Sequence, residues 1–398
     1  MLHKTHVVLV DVWRVINAKG GTGRVFCNMA NELLARGYAV TAICFDKEQG
    51  QPGYQVSKGV NLINAYKKGV FFQGHLWKML SCFSLDKDVR KKKRLLFKDT
   101  QMASSIGKVI SELKQVDLFI SFEPEATFIL RDLLGIGKPI VSMYHLPIPK
   151  FEESFDFKYF YKSAVSKSDV VQVLLPEYIP LAQRLHPNTK IICIPNEVPQ
   201  YTQKASLKDK KIISVGNVVK SKRPDLLIKA FAILKDGYRD WICEWWGEYT
   251  FDHNLTEQLN SLILQNNLEN RFFLRGATDQ IPEKLQESAI FAFPSEYESF
   301  GLALCEAQSM GLPVVGCGDC SSNCNFIINN ENGFLVDPKP ESFAKALAEL
   351  MDSYELRKKF GSQAKVDMRK YHPDVVWNAW DDVIKRLLDN PKNSQNSI

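Results

Sequence analysis

Short apolar runs that alternate with helical patterns constrain the fold of this chain more than any other feature. The runs have the length and residue types of buried parallel strands, and the segments between them repeat apolar residues at helical spacing. This alternation predicts an α/β protein built on doubly wound parallel sheets. The predicted strands are His6–Val12, Val40–Phe45, Asp117–Phe122, Pro139–Tyr144, Asp169–Leu175, Lys190–Pro195, Lys211–Gly216, Ile242–Trp246, Phe272–Leu274, Ala289–Phe293, Pro313–Gly316 and Gly333–Val336.

A chain of 398 residues with ordinary composition predicts two compact domains. The segment from Pro195 to Asp209 is polar and lacks periodicity, and we predict the interdomain linker there. The predicted first domain covers residues 1–198 and the second covers 199–374. A last helix at 375–389 is expected to pack back on the first domain, followed by a frayed tail at 390–398.

Composition indicates in which cellular compartment the protein is expected. No apolar run approaches the ~18 residues that a membrane span needs, and the apolar start of the chain is too short for a signal peptide. Nine cysteines, an odd number without a secretory signal, indicate a reduced, cytosolic protein. Cys317, Cys320 and Cys324 have spacings that could suit a metal, but a closed zinc site needs four ligands and no histidine is near.

One stretch, Pro294 to Gly316, combines features of a ligand site. A predicted strand leads into a turn, a helix that opens near Phe300 and ends at Gly311, and a further strand. Glu306 lies inside this apolar helix, where a carboxylate needs a partner, and Glu298 lies at its mouth beside a turn whose amides can face an anion. This turn is Ser299-Phe300-Gly301.

Two carboxylates and backbone donors at a strand end suit a ligand with hydroxyls and phosphate. The spacing also has ordinary structural explanations. Ser295 and Glu298 have the spacing of a capping box, and Glu306 could pair with an internal Lys or Arg.

A glycine-rich loop after the first strand is a second candidate site. It contains Gly20 to Gly23 and precedes a helix predicted from Arg24 to Arg36. A dinucleotide-binding fingerprint is disfavoured although Asp46 ends the second strand, because Phe26 replaces the third glycine and the loop lies too far beyond the strand. A dehydrogenase is therefore not expected, and a plain helix start remains the alternative for this loop.

Lys67 to Lys98 carries most of the positive charge of the chain. It holds ten Lys or Arg and two Asp, a net +8, while the whole chain carries +6. Aromatic and apolar residues are interleaved with the charges, a composition typical of a helix lying in a membrane interface. An ordinary helix with a solvated basic face, or a nucleic-acid patch, are the alternatives. The residues predicted for the membrane or acceptor side are Trp77, Arg90, Lys91, Lys92, Lys93 and Arg94.

Several of these motifs resemble those of family 4 retaining glycosyltransferases. The stretch at 294–316 resembles their donor signature of two glutamates with seven residues between them, an S-F-G turn, E-A and a G-x-P-V-V strand. The loop at 20–24 resembles their G-G-x-x-R loop, with Gly21 and Thr22 near the sugar phosphate. Ile194-Pro195-Asn196 and the strand at 333–336 also resemble family segments. The resemblance covers almost the entire chain.

The segment at 216–224 resembles the family's G-R-x-x-x-x-K-G diphosphate clamp. Lys222 occupies the Lys position, but Asn217 stands where the family has Arg, and Asn brings no charge. Lys220 or Arg223 is expected to compensate. His145, just past a predicted strand, matches a histidine that contacts sugar in the family.

The resemblance implies the GT-B architecture, two Rossmann-like domains facing a cleft, and transfer of a sugar from a nucleotide-sugar donor. Glu306 would bind ribose, Glu298 and His145 would act at the donor sugar, and Lys222 with the turn amides would neutralise the leaving diphosphate. A UDP-sugar donor and a polysaccharide or lipid-linked acceptor are expected.

No D-x-D pair is evident, so no metal or other cofactor is expected. No carboxylate base is evident on the acceptor side, which predicts retention of configuration. A non-catalytic partner of another transferase and a nucleotide-sugar epimerase are the alternatives.

Overall fold

The computed structural model describes residues 4–66, 86–249 and 252–389. The chain divides into two compact units, and each is described by itself. Unit 1 comprises Met1–Pro195 and Trp377–Ile398, and unit 2 comprises Asn196–Val376. Both are built on parallel sheets with helical crossovers, which confirms the predicted α/β class.

The sheet of unit 1 has seven strands in the order β3-β2-β1-β4-β5-β6-β7. The central strand β1 is almost wholly buried because its apolar run is covered on both faces, as in other parallel sheets. All strand pairs of this sheet are parallel. The strands are β1 His6–Asp11, β2 Ala39–Cys44, β3 Asn61–Asn64, β4 Leu118–Ser121, β5 Ile140–Met143, β6 Val170–Val173 and β7 Lys190–Cys193.

The helical segment after β4 and one edge of the sheet were not fully predicted in unit 1. The segment after β4 is an α-helix, α3, that continues as a π-helical turn at Ile129–Leu133. The edge strand β3 was not predicted, because it has only two apolar residues, Leu62 and Ile63, between two asparagines. The helices are α1 Gly21–Ala35, α2 Lys87–Ser111, α3 Pro124–Phe128, α4 Ile148–Glu153, α5 Lys162–Val165 and α6 Tyr178–Leu185.

Unit 2 repeats the same strand order in a six-stranded sheet, β10-β9-β8-β11-β12-β13. Its strands are β8 Lys211–Val215, β9 Ile242–Trp246, β10 Phe272–Gly276, β11 Ile290–Phe293, β12 Val314–Cys317 and β13 Gly333–Val336. Its helices are α7 Pro224–Leu234, α8 His253–Gln265, α9 Ile281–Gln286, α10 Leu302–Met310, α11 Ser321–Phe326, α12 Pro340–Asp352 and α13 Tyr354–Asp367.

The last helix, α14, spans Pro373–Leu388, and the boundary between the units falls within it. Its unit 1 portion is fixed by Asp381, whose two carboxylate oxygens accept hydrogen bonds from Arg36 at 2.6 Å and from the Tyr38 hydroxyl at 3.1 Å. Arg36 and Tyr38 follow α1, so this end of the chain is held by the first crossover of unit 1.

The segment predicted as a linker is packed along unit 2. The amides of Val198 and Ala205 donate to the carbonyls of Tyr371 and Met310, each at 2.9 Å. Leu207 is buried, and its carbonyl accepts from the guanidinium of Arg357 at 2.9 Å. Polar composition suggested a free linker, but its backbone donors and acceptors are satisfied by the second unit.

No helix among the described residues is long and apolar enough to span a membrane.

Candidate active site

The loop between β11 and α10 lies at the carboxyl end of the unit 2 sheet. The helix begins at Leu302, with Gly301 as its N-cap residue in the left-handed region, at φ +81°. A Cβ at this position would lie 3.3 Å from the Ser322 hydroxyl and would be strained by the backbone conformation. No side chain caps the helix. The capping-box explanation of Ser295 and Glu298 is therefore wrong.

Glu306 lies in the second turn of α10 and is only 4% exposed. Every residue of this helix from Leu304 to Met310 is buried, so the carboxylate occupies the interior of the unit. A charge there is retained only with compensating interactions, since moving it from water is costly. Glu306 is thus buried within an apolar helix, as the sequence predicted.

Lys222 and Glu298 are brought together by the fold. The ammonium Nζ of Lys222 donates to Glu298 Oε1, and both side chains are largely shielded from solvent. Lys222 ends a 3-10 turn after β8, while Glu298 follows β11, the neighbouring strand. The two loops are joined by the Glu296 amide, which donates to the Ser221 carbonyl at 2.8 Å. Parallel neighbours bring their carboxyl ends to one edge, where ligands of such sheets bind.

Arg223 is paired within unit 2. Its guanidinium donates to both carboxylate oxygens of Asp319, at 2.9 and 2.7 Å, and this hydrogen bonding raises the pKa of Arg223. Part of the positive charge expected to compensate for Asn217 is therefore neutralised by Asp319. Asn217 is half-buried, and its carbonyl accepts from the Val219 amide at 2.9 Å.

Gly247 permits a close approach beside this clamp. A Cβ on Gly247 would lie 2.1 Å from the carbonyl oxygen of Gly216, so the loops after β8 and β9 can meet only without a side chain here. The Trp245 indole donates to the same carbonyl at 2.7 Å. The backbone that leads to Lys222 is thus fixed from two sides.

Phe300 anchors the turn rather than presenting its side chain to a ligand. Its ring is 2% exposed and packs edge-on against Phe326 and Tyr371, with centroids 4.9 and 5.8 Å away. Ser299 beside it is half-buried. The chemistry available at this turn is therefore that of backbone groups held in place by an aromatic cluster.

The three closely spaced cysteines lie at the end of a strand, at a helix N-cap and inside that helix. Cys317 ends β12, Cys320 is the N-cap of α11, and Cys324 lies inside that helix. In the described part of the chain, no group of three or more His, Cys, Asp or Glu side chains could hold a metal ion.

The glycine-rich loop of unit 1 leads directly into α1, which begins at Gly21, three residues earlier than predicted. Gly21 and Thr22 therefore belong to the first helical turn. Asp46 holds the loop from β1: its Oδ2 accepts from the amides of Val15 and Ile16 at 2.9 and 2.7 Å. This carboxylate serves the backbone, in agreement with the rejection of a dinucleotide fingerprint.

His145 lies two residues beyond β5 and is 6% exposed. Its ring stacks on Phe122, with centroids 5.0 Å apart and planes within 11°. Burial lowers the pKa of His145 to about 4, so the imidazole is neutral at physiological pH. Among the described residues, Nε2 has no hydrogen-bond partner.

Two acidic residues at the same edge were missed as site candidates. Asp11 ends β1 and Glu123 follows β4, and each is 1% exposed. Burial raises the pKa of Asp11 to about 6 and that of Glu123 well above its usual value. The sequence analysis found no evident carboxylate base on the acceptor side, and it overlooked these two buried acids. Their position directly after predicted strands was the signal that could have found them.

The basic run lies in the first turns of α2, whose N-cap Asp86 accepts from the amides of Asp88 and Val89. Lys91, Lys93 and Arg94 are exposed, and Arg90 and Lys92 are half-buried. The ammonium groups of Lys91 and Lys92 lie 4.3 and 3.5 Å from the ring centroids of Phe155 and Tyr159. Trp77 lies outside the described residues, as does most of the predicted element before α2.

The second unit resembles a known family. Residues 200–367, which make up most of unit 2, match the family described as glycosyl transferases group 1. Relatives that are similar over both units are also described as glycosyltransferases.

Two relatives are similar over nearly their whole length. An uncharacterized glycosyltransferase of Haemophilus influenzae is 26% identical over 93% of this chain and 97% of its own. The amylovoran biosynthesis glycosyltransferase AmsD of Erwinia amylovora is 23% identical over 95% of this chain and 99% of its own.

Among solved structures, a variant of Staphylococcus aureus TarM in complex with fondaparinux, α-GlcNAc-glycerol and UDP superimposes with a TM-score of 0.75. The two chains are 16% identical, and the match covers 97% of this chain and 100% of TarM. At this identity the likeness shows the fold, which is the predicted GT-B class with two Rossmann-like domains.

Proposed function

We propose that this protein moves a sugar from a UDP-sugar to a glycan or lipid-linked saccharide during synthesis of a cell-surface polysaccharide. The observation that carries the proposal is the pair of Lys222 and Glu298 at the carboxyl end of the unit 2 sheet, with Glu306 buried in the helix behind it. The polysaccharide setting is supported by the amylovoran relative.

Each charged group has a chemical task in this proposal. Glu306 accepts hydrogen bonds from the ribose hydroxyls through its two oxygens. Glu298 holds hydroxyls of the donor sugar. Lys222, together with the amides of Phe300 and Gly301, stabilises the negative charge that grows on the leaving diphosphate. The ion pair with Glu298 keeps Lys222 in place until the diphosphate competes for its ammonium.

UDP is the proposed nucleotide because the solved structure of the TarM variant, similar over both units, contains UDP. Transfer needs no metal in this proposal, since Lys222 and backbone amides can balance the diphosphate charge. Activity is expected to survive excess EDTA. Loss of activity that only magnesium or manganese restores would contradict this assignment.

Retention of the anomeric configuration is part of the proposal. Inversion needs an ionised base facing the acceptor hydroxyl. Burial raises the pKa of Glu123 well above its usual value, which favours its protonated form, and buried His145 is proposed to contact donor sugar. Asp11, whose pKa burial raises to about 6, is the acid at this edge of unit 1 that could act as a base at neutral pH. Retention is proposed because the donor-site motifs resemble those of the retaining family, and the configuration of the product tests whether Asp11 acts as a base. Proton NMR of the first-formed product from an α-linked UDP-sugar is expected to show an α-glycoside, and a β-glycoside would overturn the mechanism.

The same NMR experiment addresses the alternatives. A non-catalytic partner would leave the UDP-sugar unchanged in the presence of acceptor. An epimerase would convert it to its epimer without transfer. Asn217 is the one departure from the diphosphate clamp that favours the non-catalytic alternative.

We also propose that the first turns of α2 bind the inner face of the cytoplasmic membrane. Lys91 and Lys93 are exposed, and Tyr159 adds a ring that is 49% exposed next to Lys92. Each basic residue near an anionic surface contributes about 1 kcal/mol. Replacing Lys91, Lys92 and Lys93 by Glu is expected to abolish sedimentation with anionic vesicles.

The matched control replaces three exposed lysines elsewhere in unit 1, Lys108, Lys114 and Lys190, by Glu. It changes the net charge equally and is expected to keep vesicle binding. Equal sedimentation of the wild-type protein with neutral and anionic vesicles would contradict the membrane proposal.

A further inference from the structure

Glu123 is a buried acid without any of the usual structural partners. It is the N-cap residue of α3, where a carboxylate would normally accept hydrogen bonds from the first turn, yet its side chain makes no cap hydrogen bond. Neither carboxylate oxygen has a hydrogen-bond partner among the described residues. The nearby Glu125, by contrast, accepts a hydrogen bond from Lys98 at 2.7 Å. Native proteins rarely leave such groups unsatisfied, so Glu123 needs an explanation.

Asp11 repeats this pattern on the neighbouring strand. Its Oδ1 accepts from the Trp13 amide at 2.8 Å, whereas Oδ2 is buried and has no partner in the described part of the chain. Strands β1 and β4 are paired, and the Phe122 amide donates to the Val10 carbonyl at 2.9 Å. Asp11 and Glu123 therefore follow directly on adjacent, hydrogen-bonded segments at one sheet edge.

A third residue with an orphaned polar atom lies beside this pair. The ring of His145 stacks on Phe122, the residue that precedes Glu123, and its Nε2 is buried without a partner in the described ranges. This imidazole is neutral because burial lowers its pKa, and neither Asp11 nor Glu123 contributes to that shift. Trp13, which lies two residues after Asp11, is 39% exposed and supplies an apolar ring at the same edge.

We propose that Glu123 and Asp11 form a hydroxyl-binding site for the sugar acceptor at the carboxyl end of the unit 1 sheet. A protonated carboxyl can donate one hydrogen bond and accept others, and a carboxylate accepts only, so together they match hydroxyls that both donate and accept. The class of ligand rests on the proposed function; the site itself rests on the orphaned groups.

The electrostatics favour a neutral polyol over a cation or an anion. Burial raises the pKa of Glu123 well above its usual value, with Asp11 and then Glu125 adding to the rise, and this favours the protonated carboxyl. A protonated acid is a poor metal ligand, and the described residues contain no cluster of three metal-binding side chains. A phosphate would be repelled by the adjacent acids.

The test uses the full-length protein and methyl glycosides of glucose, galactose and N-acetylglucosamine as probes. Saturation-transfer NMR measures glycoside binding, and calorimetry on the same samples measures UDP binding. Glu123→Met keeps the side-chain length but removes all hydrogen bonding, whereas Glu123→Gln keeps a neutral donor and acceptor. Glu112→Gln, at an exposed position after α2, is the matched control.

Glycoside binding is expected in the wild-type protein, in Glu123→Gln and in Glu112→Gln, and is expected to weaken about tenfold in Glu123→Met, the loss typical of a buried hydrogen-bonding group. Melting curves check that each variant folds, and UDP affinity should be equal in all four proteins. If the proteins fail to bind UDP but bind the glycosides as expected, the proposed donor is refuted. The glycoside measurements would still test the role of Glu123.

Three results would overturn this inference. The first is wild-type glycoside binding in a folded Glu123→Met variant, which would make Glu123 merely structural. The second is a wild-type protein that binds UDP but none of the glycosides. The third is a magnesium-induced rise in melting temperature that Glu123→Met removes, which would make the site a cation site.

Discussion

The carboxyl ends of the two sheets differ in how their charged side chains are accommodated. The six strands of unit 2 follow the same order as the first six strands of unit 1, and both sheets collect polar side chains at this edge. In unit 2 the charges are paired, Lys222 with Glu298 and Arg223 with Asp319. In unit 1 the acids Asp11 and Glu123 are buried, and burial raises the pKa of both carboxyls. The ion pairs of unit 2, which can exchange partners, fit the proposed diphosphate, and the buried acids of unit 1 fit the proposed hydroxyls.

The largest expected effect is at Glu306 in unit 2. Glu306→Ala is expected to weaken UDP binding about a hundredfold or more, since two hydrogen bonds to a charged group contribute about 3–6 kcal/mol. The variant is expected to remain folded, because the change removes a single side chain of α10. Calorimetry and a melting curve on one preparation measure both.

Gln308→Ala is the matched control in the same helix. Gln308 is fully buried and donates to the Phe326 carbonyl at 3.0 Å, so its loss should lower the melting temperature and leave UDP affinity unchanged. A Glu306→Ala variant that behaves like this control, less stable but still able to bind UDP, would place Glu306 in an internal ion pair instead.

The second effect concerns the ion pair itself. Lys222→Met is expected to slow sugar transfer by about a hundredfold to a thousandfold, the usual loss when one donor to a developing negative charge is removed. Lys229→Met, at an exposed position of α7, should transfer at the wild-type rate. Initial transfer rates of the two variants and the wild-type protein, measured with the same UDP-sugar, test this expectation. Normal transfer by Lys222→Met would mean that the pair with Glu298 serves only the fold.

The smallest expected effect is on the pH dependence of stability, at Asp99, a buried acid of α2 in unit 1. Burial raises the pKa of Asp99 to about 8, and Glu125 adds to the rise. In the unfolded chain this carboxyl titrates near 3.8, so the folded state holds a proton that the unfolded state has lost, and stability falls as pH rises toward 8. Asp99→Asn should therefore melt a few degrees higher at pH 8 and show a flatter dependence from pH 6.5 to 8.

This window avoids the buried histidines. Burial lowers the pKa of His145 and His186 to about 4, so their contribution to stability is lost only as pH falls below about 6.5. Asp88→Asn, an exposed change in the same helix as Asp99, should keep the wild-type slope. Parallel slopes in all three proteins would show that Asp99 is ionised in the folded state.

The sequence predicted unit 2 in more detail than unit 1, and the reason is physical. Glu298, Glu306 and Lys222 lie in segments where strand ends, a turn and a helix follow each other within a few residues, so local patterns describe their surroundings. The pairing of Lys222 with Glu298, and of Arg223 with Asp319, joins residues far apart in sequence. No local pattern encodes these pairs.

In unit 1 the strands were predicted to within two residues at each end, except for β3, whose short half-exposed run lacks an apolar signature. Asp11 and Glu123 were passed over because an acidic residue after a strand usually faces solvent. Their burial depends on Phe122 and on the helices that cover the sheet, which is a property of the folded unit. The capping-box explanation failed although Ser295 and Glu298 have the right spacing, because the helix begins only at Leu302.

The central claim, that unit 2 is a UDP-sugar site, is tested most directly by melting the wild-type protein with UDP, GDP, ADP and a panel of UDP-sugars. Ligand that binds only the folded state raises the melting temperature in proportion to the logarithm of its concentration. UDP and at least one UDP-sugar are expected to raise it, with little effect of GDP or ADP. A melting temperature that no uridine nucleotide changes would contradict the account.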